Sequence, residues 1–512
     1  MHPNRGDTLL DQVRSLCPAC GENVTASIFE REGKVYQRPD CSKHPNQEAL
    51  IFSDASFYRK LDAWNQRLFP SSTEIVEQGS RSAADGCSGF HSVNDPSLAV
   101  MDITNRCNYK CPVCFAEING DGDYYSLDLE QIRKMLQSLL DRPNPCRNIQ
   151  FSGGEPTLHS QFPEVVRMAR DLGFTHIQAA TNGSRFADPD YVRICEDSGL
   201  HTLYLQFDGV NDDVYLKLRG QRLLDKKIKI VENIAQSNMR IVLVPVIAAS
   251  VNVDQIGPIF QFALEYSKHI TGISMQPAAL VGRIALPDES ESFNLATMAT
   301  AFGQQTGLTR FPEDWFPLNA VSTITRAVSR IRHAEGTNPA CDAHCSLGTF
   351  FCIDDDNKPH CLTRFFDLDR FFRGLHDAPV REPQGALRQQ ISRLKELWRF
   401  SDCFDKQNAP KGLTFQRLLR SLDNWDEKSV GRGPAWFRRG FNGMFVAGMH
   451  FMDARSYNFR RLQRCIIQYV TTNREVLPFC CYNAGPRYRI EEEAARLQMR
   501  ERSAEGLMTV QA

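Results

Sequence analysis

Between residues 97 and 290 the chain repeats one pattern: a short apolar run, then a stretch with apolar residues at helical spacing. The runs fall at 97–103, 148–152 (NIQFS), 176–181 (HIQAAT), 202–207 (TLYLQF), 240–248 (RIVLVPVIA) and 271–276 (TGISMQ). Between them lie helical stretches such as SLDLEQIRKMLQSLLDR (126–142), for which Ser126 is the expected cap, and FPEVVRMARDLGF (162–174). Strands alternating with helices make right-handed crossovers and a parallel sheet that closes into a full or partial barrel. In such a fold the chemistry gathers at the C-terminal ends of the strands.

The rest of the 512 residues divides around that unit. Residues 1–75 hold two turn-borne pairs, CPAC (Cys17, Cys20) and CSKH (Cys41, His44), joined by alternating residues that predict a hairpin. Four such ligands suit a tetrahedral zinc or a mononuclear iron, and spacing does not choose between the two. Residues 76–96 are turn-rich and read as a linker carrying Cys87 and His91; residues 291–487 are aromatic-rich and read as a separate region; residues 488–512 read as a charged, solvated tail. The apolar, Met-rich segment 434–453 suits either a greasy channel or an ordinary core.

A formal net charge of -1 offers no global field for nucleic acid or an anionic membrane. No run is long enough for a membrane span, and the polar start lacks a secretion signal, so the expected location is cytoplasmic, with at most transient contact at a membrane surface. Seventeen cysteines in a reducing compartment point to metal or cluster ligation rather than to a disulfide framework.

The sharpest signal is DITNRCNYKCPVCFAE, which places Cys107, Cys111 and Cys114 directly after the first strand. Three thiolates on one loop can hold a 4Fe-4S cube with one iron left open, whereas zinc prefers four ligands. After the second strand comes FSGGEPTLH, where Gly153 and Gly154 allow close backbone approach, and Glu155 and Thr157 bring polar groups. Taken alone, GGEP is a turn; beside the cysteine loop it reads as part of a ligand site.

CxxxCxxC followed by GGEPT resembles the radical S-adenosylmethionine (SAM) superfamily, whose open iron grips SAM. The resemblance implies cluster ligands at Cys107, Cys111 and Cys114, which are then the catalytic residues. It also implies SAM contacts at Gly153, Gly154 and Glu155 and an adenine-side aromatic at Phe115. Thr181, Asn182, Gln206 and Asp208 fall where they would line the same mouth. Further segments, among them MQPAALVGRI, CSLGTFF and GMHFMDARSYNFRRLQRCIIQY, make residues 14–487 similar to the tetraether lipid synthase family, archaeal members of which have also been described as 7,8-dihydro-6-hydroxymethylpterin dimethyltransferases.

That family resemblance implies an α/β fold: a partial (β/α)6 radical SAM barrel with an N-terminal rubredoxin-like knuckle and a C-terminal auxiliary-cluster region. It implies hydrogen abstraction from a lipid alkyl or isoprenoid chain with C-C bond formation, fed by an external ferredoxin or flavodoxin. An auxiliary 4Fe-4S cluster would take Cys341, Cys345, Cys465 and Cys480, with Cys361, Cys403 and Cys481 as substitutes and plain burial as the competing account. Where family members carry a cysteine-dense segment upstream of the SAM loop, this chain has GCSGFHS, which implies fewer auxiliary ligands. Cys146 and Cys195 read as packing or surface residues. Two other functions fit less of the pattern: radical methylation of a pterin or other small molecule, and an iron-sulfur regulatory protein with no turnover, for which the GGEP segment has no use.

Overall fold

A computed structural model describes residues 6–45, 47–69, 94–116, 124–285, 293–320, 341–376, 401–422, 441–485, 489 and 492–498. The expected linker lies almost wholly outside the described residues, as do Cys87, His91 and the first part of the 434–453 segment.

The N-terminal unit is a four-stranded antiparallel sheet, β1 (Thr8–Leu16), β2 (Asn23–Arg31), β3 (Lys34–Pro39) and β4 (Ala49–Phe52), followed by helix α1 (Ala55–Leu68). The expected hairpin is β2 and β3, turned at Glu32 and Gly33, both with positive φ, as a two-residue hairpin turn demands.

The alternating unit forms as expected. Strands β5 (Leu98–Thr104), β7 (Asn148–Gly153), β8 (His176–Thr181), β9 (Thr202–Gln206), β10 (Arg240–Val244) and β12 (Ile270–Pro277) pair in parallel and in sequence order. Short strands β6 (Val113–Cys114), β11 (Val246–Ile247) and β13 (Arg283–Ile284) trim the mouth. The crossovers are α2 (Leu129–Leu140), α3 (Phe162–Leu172), α4 (Pro189–Ser198), α5 (Asp212–Arg219), α6 (Leu224–Ile234) and α7 (Ile256–Glu265), with α8 (Leu295–Thr306) after the last of these strands. Helix α2 is capped by Asp128 in a box with Gln131, not by Ser126, which instead bonds Thr104 across the mouth at 2.8 Å. One continuous core, including Met101, Ile149, Phe151, Ile177, Leu203, Leu243 and Ile273, fills the space between strands and helices. Cys195 is buried in it from α4, and Cys146 from the connection before β7, so both are packing residues.

The region expected to stand apart does not. β17 (Phe441–Met449) adds in parallel to β12 and carries β15 (Ser346–Asp354), β14 (Phe316–Pro317) and β16 (Pro359–Cys361) beyond it. At the opposite edge β18 (Ile467–Val470) adds in parallel to β5 and carries β19 (Val476–Pro478). The result is one 13-stranded sheet whose parallel centre is flanked by late-sequence strands on both sides. The tail read as solvated likewise buries Arg496, which donates to the Asp102 carbonyl and the Tyr125 hydroxyl from deep in the core. Its Nε also pairs with Glu492 at 3.0 Å, and that ion pair offsets the cost of burying the charge.

Candidate active site

At the C-terminal ends of the parallel strands lies a cavity of about 730 Å³. Cys107, Cys111 and Cys114 line it together with Phe115, Gly153, Gly154, Thr181, Asn182 and Gln206. Backbone contacts too close for side chains hold the cysteine loop. The Gly154 amide donates to the Thr104 carbonyl at 2.9 Å and the Glu155 amide to that of Arg106 at 2.7 Å. A Cβ on Gly153 would lie 2.0 Å from the Thr104 carbonyl oxygen, and one on Gly154 2.3 Å from that of Arg106. The glycines therefore serve first to dock strand β7 against the loop.

From the other side β13 pairs antiparallel with β6, setting Arg283 opposite Cys114. Gly282, at positive φ, has no room for a Cβ, which would sit 2.5 Å from the carbonyls of Cys114 and Phe115. Phe115 closes a stack with Phe451 and Phe479, its centroid 5.5 and 5.6 Å from theirs. Burial pushes the Cys107 thiol up to about 12, so in the bare protein it keeps its proton until a metal displaces it.

Glu155 and Asp208 are not among the cavity-lining residues. The Glu155 carboxylate is buried and accepts from the Thr157 amide and hydroxyl, the Thr181 hydroxyl at 2.7 Å and the Asn182 amide at 2.7 Å. It clasps the ends of β7 and β8. Asp208 is buried against Arg219, which holds both its oxygens at 2.6 and 2.8 Å and also donates to the Val113 carbonyl inside the cysteine loop. Asn182 bonds Asn108, on the same loop.

Two functional side chains carry no signal in the sequence. Arg219 joins Asp208 to the loop, and Lys227, fully buried on α6, donates to the carbonyls of Asn182 and Gln206 and to the Gln206 side chain at 2.7–2.8 Å. Burial pushes the Lys227 ammonium down to about 7. Nothing in local spacing tells which lysine of a helix turns inward.

The cavity floor is a band of neutral polar groups from the inner sheet face. Gln178 donates to Gln150 at 2.6 Å, and Tyr204 meets Ser274 at 2.8 Å and Gln276 at 3.2 Å. Its walls are aromatic and aliphatic: Phe316, Phe350, Phe372 and Phe445, with Leu362 and Leu368. Alternate residues of β17, Phe445, Ala447 and Met449, face this space while Met444 and Val446 enter the core, so the described part of the 434–453 segment is divided between cavity wall and core.

Two further sets of cysteines converge elsewhere. Cys17, Cys20, Cys41 and His44 place their ligand atoms within 4.8 Å of one another, a donor set that fits tetrahedral zinc. Cys341 and Cys345, before β15, meet Cys465 and Cys480 from the other edge of the sheet, close enough for charge on one to oppose ionisation of the next. Burial pushes Cys465 up to about 12 and Cys480 up to about 11. Arg461 donates to the Cys345 sulfur at 3.4 Å. Of the suggested substitutes, Cys403 lies in a separate aromatic cluster with Phe365 and Phe366, Cys361 bonds Thr349 and Thr363, and Cys481 is buried beside Cys480. Among the described residues only the knuckle brings three or more such ligand atoms within 4.8 Å of one another.

Residues 101–263 match the model of the radical SAM superfamily, and residues 9–53 match that of the HMPTM N-terminal zinc ribbon domain. The 7,8-dihydro-6-hydroxymethylpterin dimethyltransferase of Methanocaldococcus jannaschii is 31% identical over 486 residues, 94% of either chain. The chain belongs to the radical SAM superfamily. It is therefore a radical SAM enzyme, and the family implies a 4Fe-4S cluster and SAM beside the ribbon's metal. A "Probable GTP 3',8-cyclase" of Saccharolobus solfataricus is 31% identical over 129 residues, 25% of this chain and 40% of that protein. Among solved structures, SuiB of Streptococcus suis bound to S-adenosylmethionine is 15% identical and covers 57% of this chain and 68% of that one, with a TM-score of 0.36. The full-length relative's name describes methylation of a pterin, not the joining of lipid chains that the tetraether resemblance implied. No helix among the described residues is long and apolar enough to cross a membrane.

Proposed function

We propose that this radical SAM enzyme methylates a flat, amide-bearing heterocycle of the pterin class. The observation that carries the reading is the cavity floor, a band of glutamines with Tyr204 and Ser274. Carboxamides match the alternating donors and acceptors of a pterin edge, and aromatic walls suit its faces. An alkyl chain laid on that floor would offer it no hydrogen bond. The name of the full-length relative points the same way.

In this reading Cys107, Cys111 and Cys114 hold the cluster from one loop and leave one side open to the cavity. When bound, the cluster and SAM supply, with an electron from an external ferredoxin- or flavodoxin-type donor, a carbon radical able to remove hydrogen from an unactivated position. The chain's own contribution is placement. Gly153 and Gly154 fix the loop, Lys227 orients Gln206 and Asn182 toward SAM, Phe115 with its stacked partners flanks the adenine side, and the aromatic walls keep water from a reactive carbon. Cys341, Cys345, Cys465 and Cys480 hold an auxiliary 4Fe-4S cluster; their convergence from both sheet edges beside a buried arginine supports that assignment.

The second reading, C-C bond formation on a lipid chain, is favoured by the apolar walls. One experiment separates them. Reconstituted enzyme with SAM and dithionite is given either a 6-hydroxymethyl dihydropterin or an ether lipid, and 5′-deoxyadenosine and products are followed by mass spectrometry. A methylated pterin supports the first reading, and joined lipid chains would replace it with the second. Absence of 5′-deoxyadenosine at full cluster occupancy would remove both.

A further inference from the structure

The cation beside Cys345 differs from Arg219, the buried arginine at the cysteine loop. Arg461, in the short helix Phe459–Gln463, is 8% exposed. Its Nε donates to the Cys345 sulfur at 3.4 Å, and its Nη2 donates to the His450 carbonyl at 2.8 Å. The Asn458 side chain caps this helix and fixes the direction from which Arg461 enters.

The nearest acid is already engaged. Asp342 accepts from Arg464 at 2.8 Å through one oxygen and from the amide and ring of His344 at 3.0 Å through the other. Among the described residues no carboxylate forms an ion pair with Arg461. At the cysteine loop, by contrast, Arg219 is matched bidentately by Asp208. A guanidinium buried against neutral thiols is costly, and thiolates would offset that cost.

We infer that Arg461 raises the reduction potential of the auxiliary cluster, acting as a fixed cation hydrogen-bonded to one ligand sulfur. The inference rests on the assignment of those four cysteines as ligands. Reduction adds one negative charge to a cluster that is already anionic. A cation held at 3.4 Å from a ligand sulfur stabilises the reduced form more than the oxidised one. Arg461 is thus a positioning residue that acts through Cys345, and it is not among the residues that line the cavity at the cysteine loop.

The test uses the full chain with Cys107→Ala, Cys111→Ala and Cys114→Ala, so that the auxiliary cluster is alone, and compares Arg461 with Arg461→Lys and Arg461→Met. Iron and sulfide are counted, and the midpoint potential is read by EPR-monitored titration. The expected result is about four irons per chain besides the ribbon metal, with the potential shifted to more negative values in Arg461→Met and less so in Arg461→Lys. An unchanged potential with the cluster retained overturns the role of Arg461 and leaves the ligand assignment standing. Loss of the cluster in both Arg461 variants makes the residue a brace and also overturns it. A triple-cysteine background that assembles no cluster at all defeats the ligand assignment itself, and the inference with it.

Discussion

The two thiol sets in the body of this enzyme are built by opposite means. Cys107, Cys111 and Cys114 come from eight consecutive residues, lie half-buried, and face a cavity of about 730 Å³. Cys341, Cys345, Cys465 and Cys480 come from segments up to about 140 residues apart and are enclosed by Arg461, Asp342 and His450. A loop can present three ligands and leave the fourth direction free, because nothing else in the chain is required to reach the metal. Ligands gathered by tertiary packing surround their metal, and their neighbours can then adjust its charge. The first arrangement suits a reacting centre and the second an electron-holding one.

The largest expected effect breaks the comparison outright. Replacing Cys107, Cys111 and Cys114 by alanine should abolish 5′-deoxyadenosine release, while Cys345→Ala should leave SAM cleavage intact and remove about four irons; equal loss of SAM cleavage in both would erase the distinction. Next, Gly154→Ala puts a Cβ 2.3 Å from a backbone carbonyl that cannot rotate away, and should cost about 1–3 kcal/mol. Its signature is iron lost from the open site alone, seen by comparing EPR signals of the two clusters.

Chelation of the ribbon metal should act in the reverse order. Leu16, beside Cys17, packs in one cluster with Met452, Tyr457 and Cys480, so unfolding the ribbon should lower the Tm and release the enclosed cluster before the open one. Smallest is Lys227→Met, which frees Gln206 and Asn182 without touching a ligand. Loss of those bonds should lower kcat/KM for SAM roughly tenfold at unchanged iron content.

The parallel centre of the fold was legible because its strands send alternate apolar side chains into the core, as Ile149 and Phe151, Ile177 and Ala179, and Leu203 and Leu205 do, with helical spacing between the runs. The predicted run 148–152 became Asn148–Gly153 and 176–181 became His176–Thr181. The open site was legible for a related reason, since a loop carries its ligands in order. What stayed hidden depends on distant partners. β17 is interrupted by Gly443 and Gly448, and its pairing with β12 and β15 makes it a strand. That Thr181 and Arg219 engage the side-chain oxygens of Glu155 and Asp208 was likewise not legible, because the partners meet only through the fold. Arg496 and Arg461 sit in charged stretches that look solvated, and spacing alone does not say which arginine turns inward.

The placement of β18 against β5 governs how this protein can mature. On the ribosome, the strand that leads into Cys107 emerges some 360 residues before its outer neighbour. Until residues 467–470 arrive, that edge is bare and open to association with other nascent chains. Ile467 and Tyr469 of β18 line the cavity, so its wall is complete only once nearly all of the polypeptide has been made.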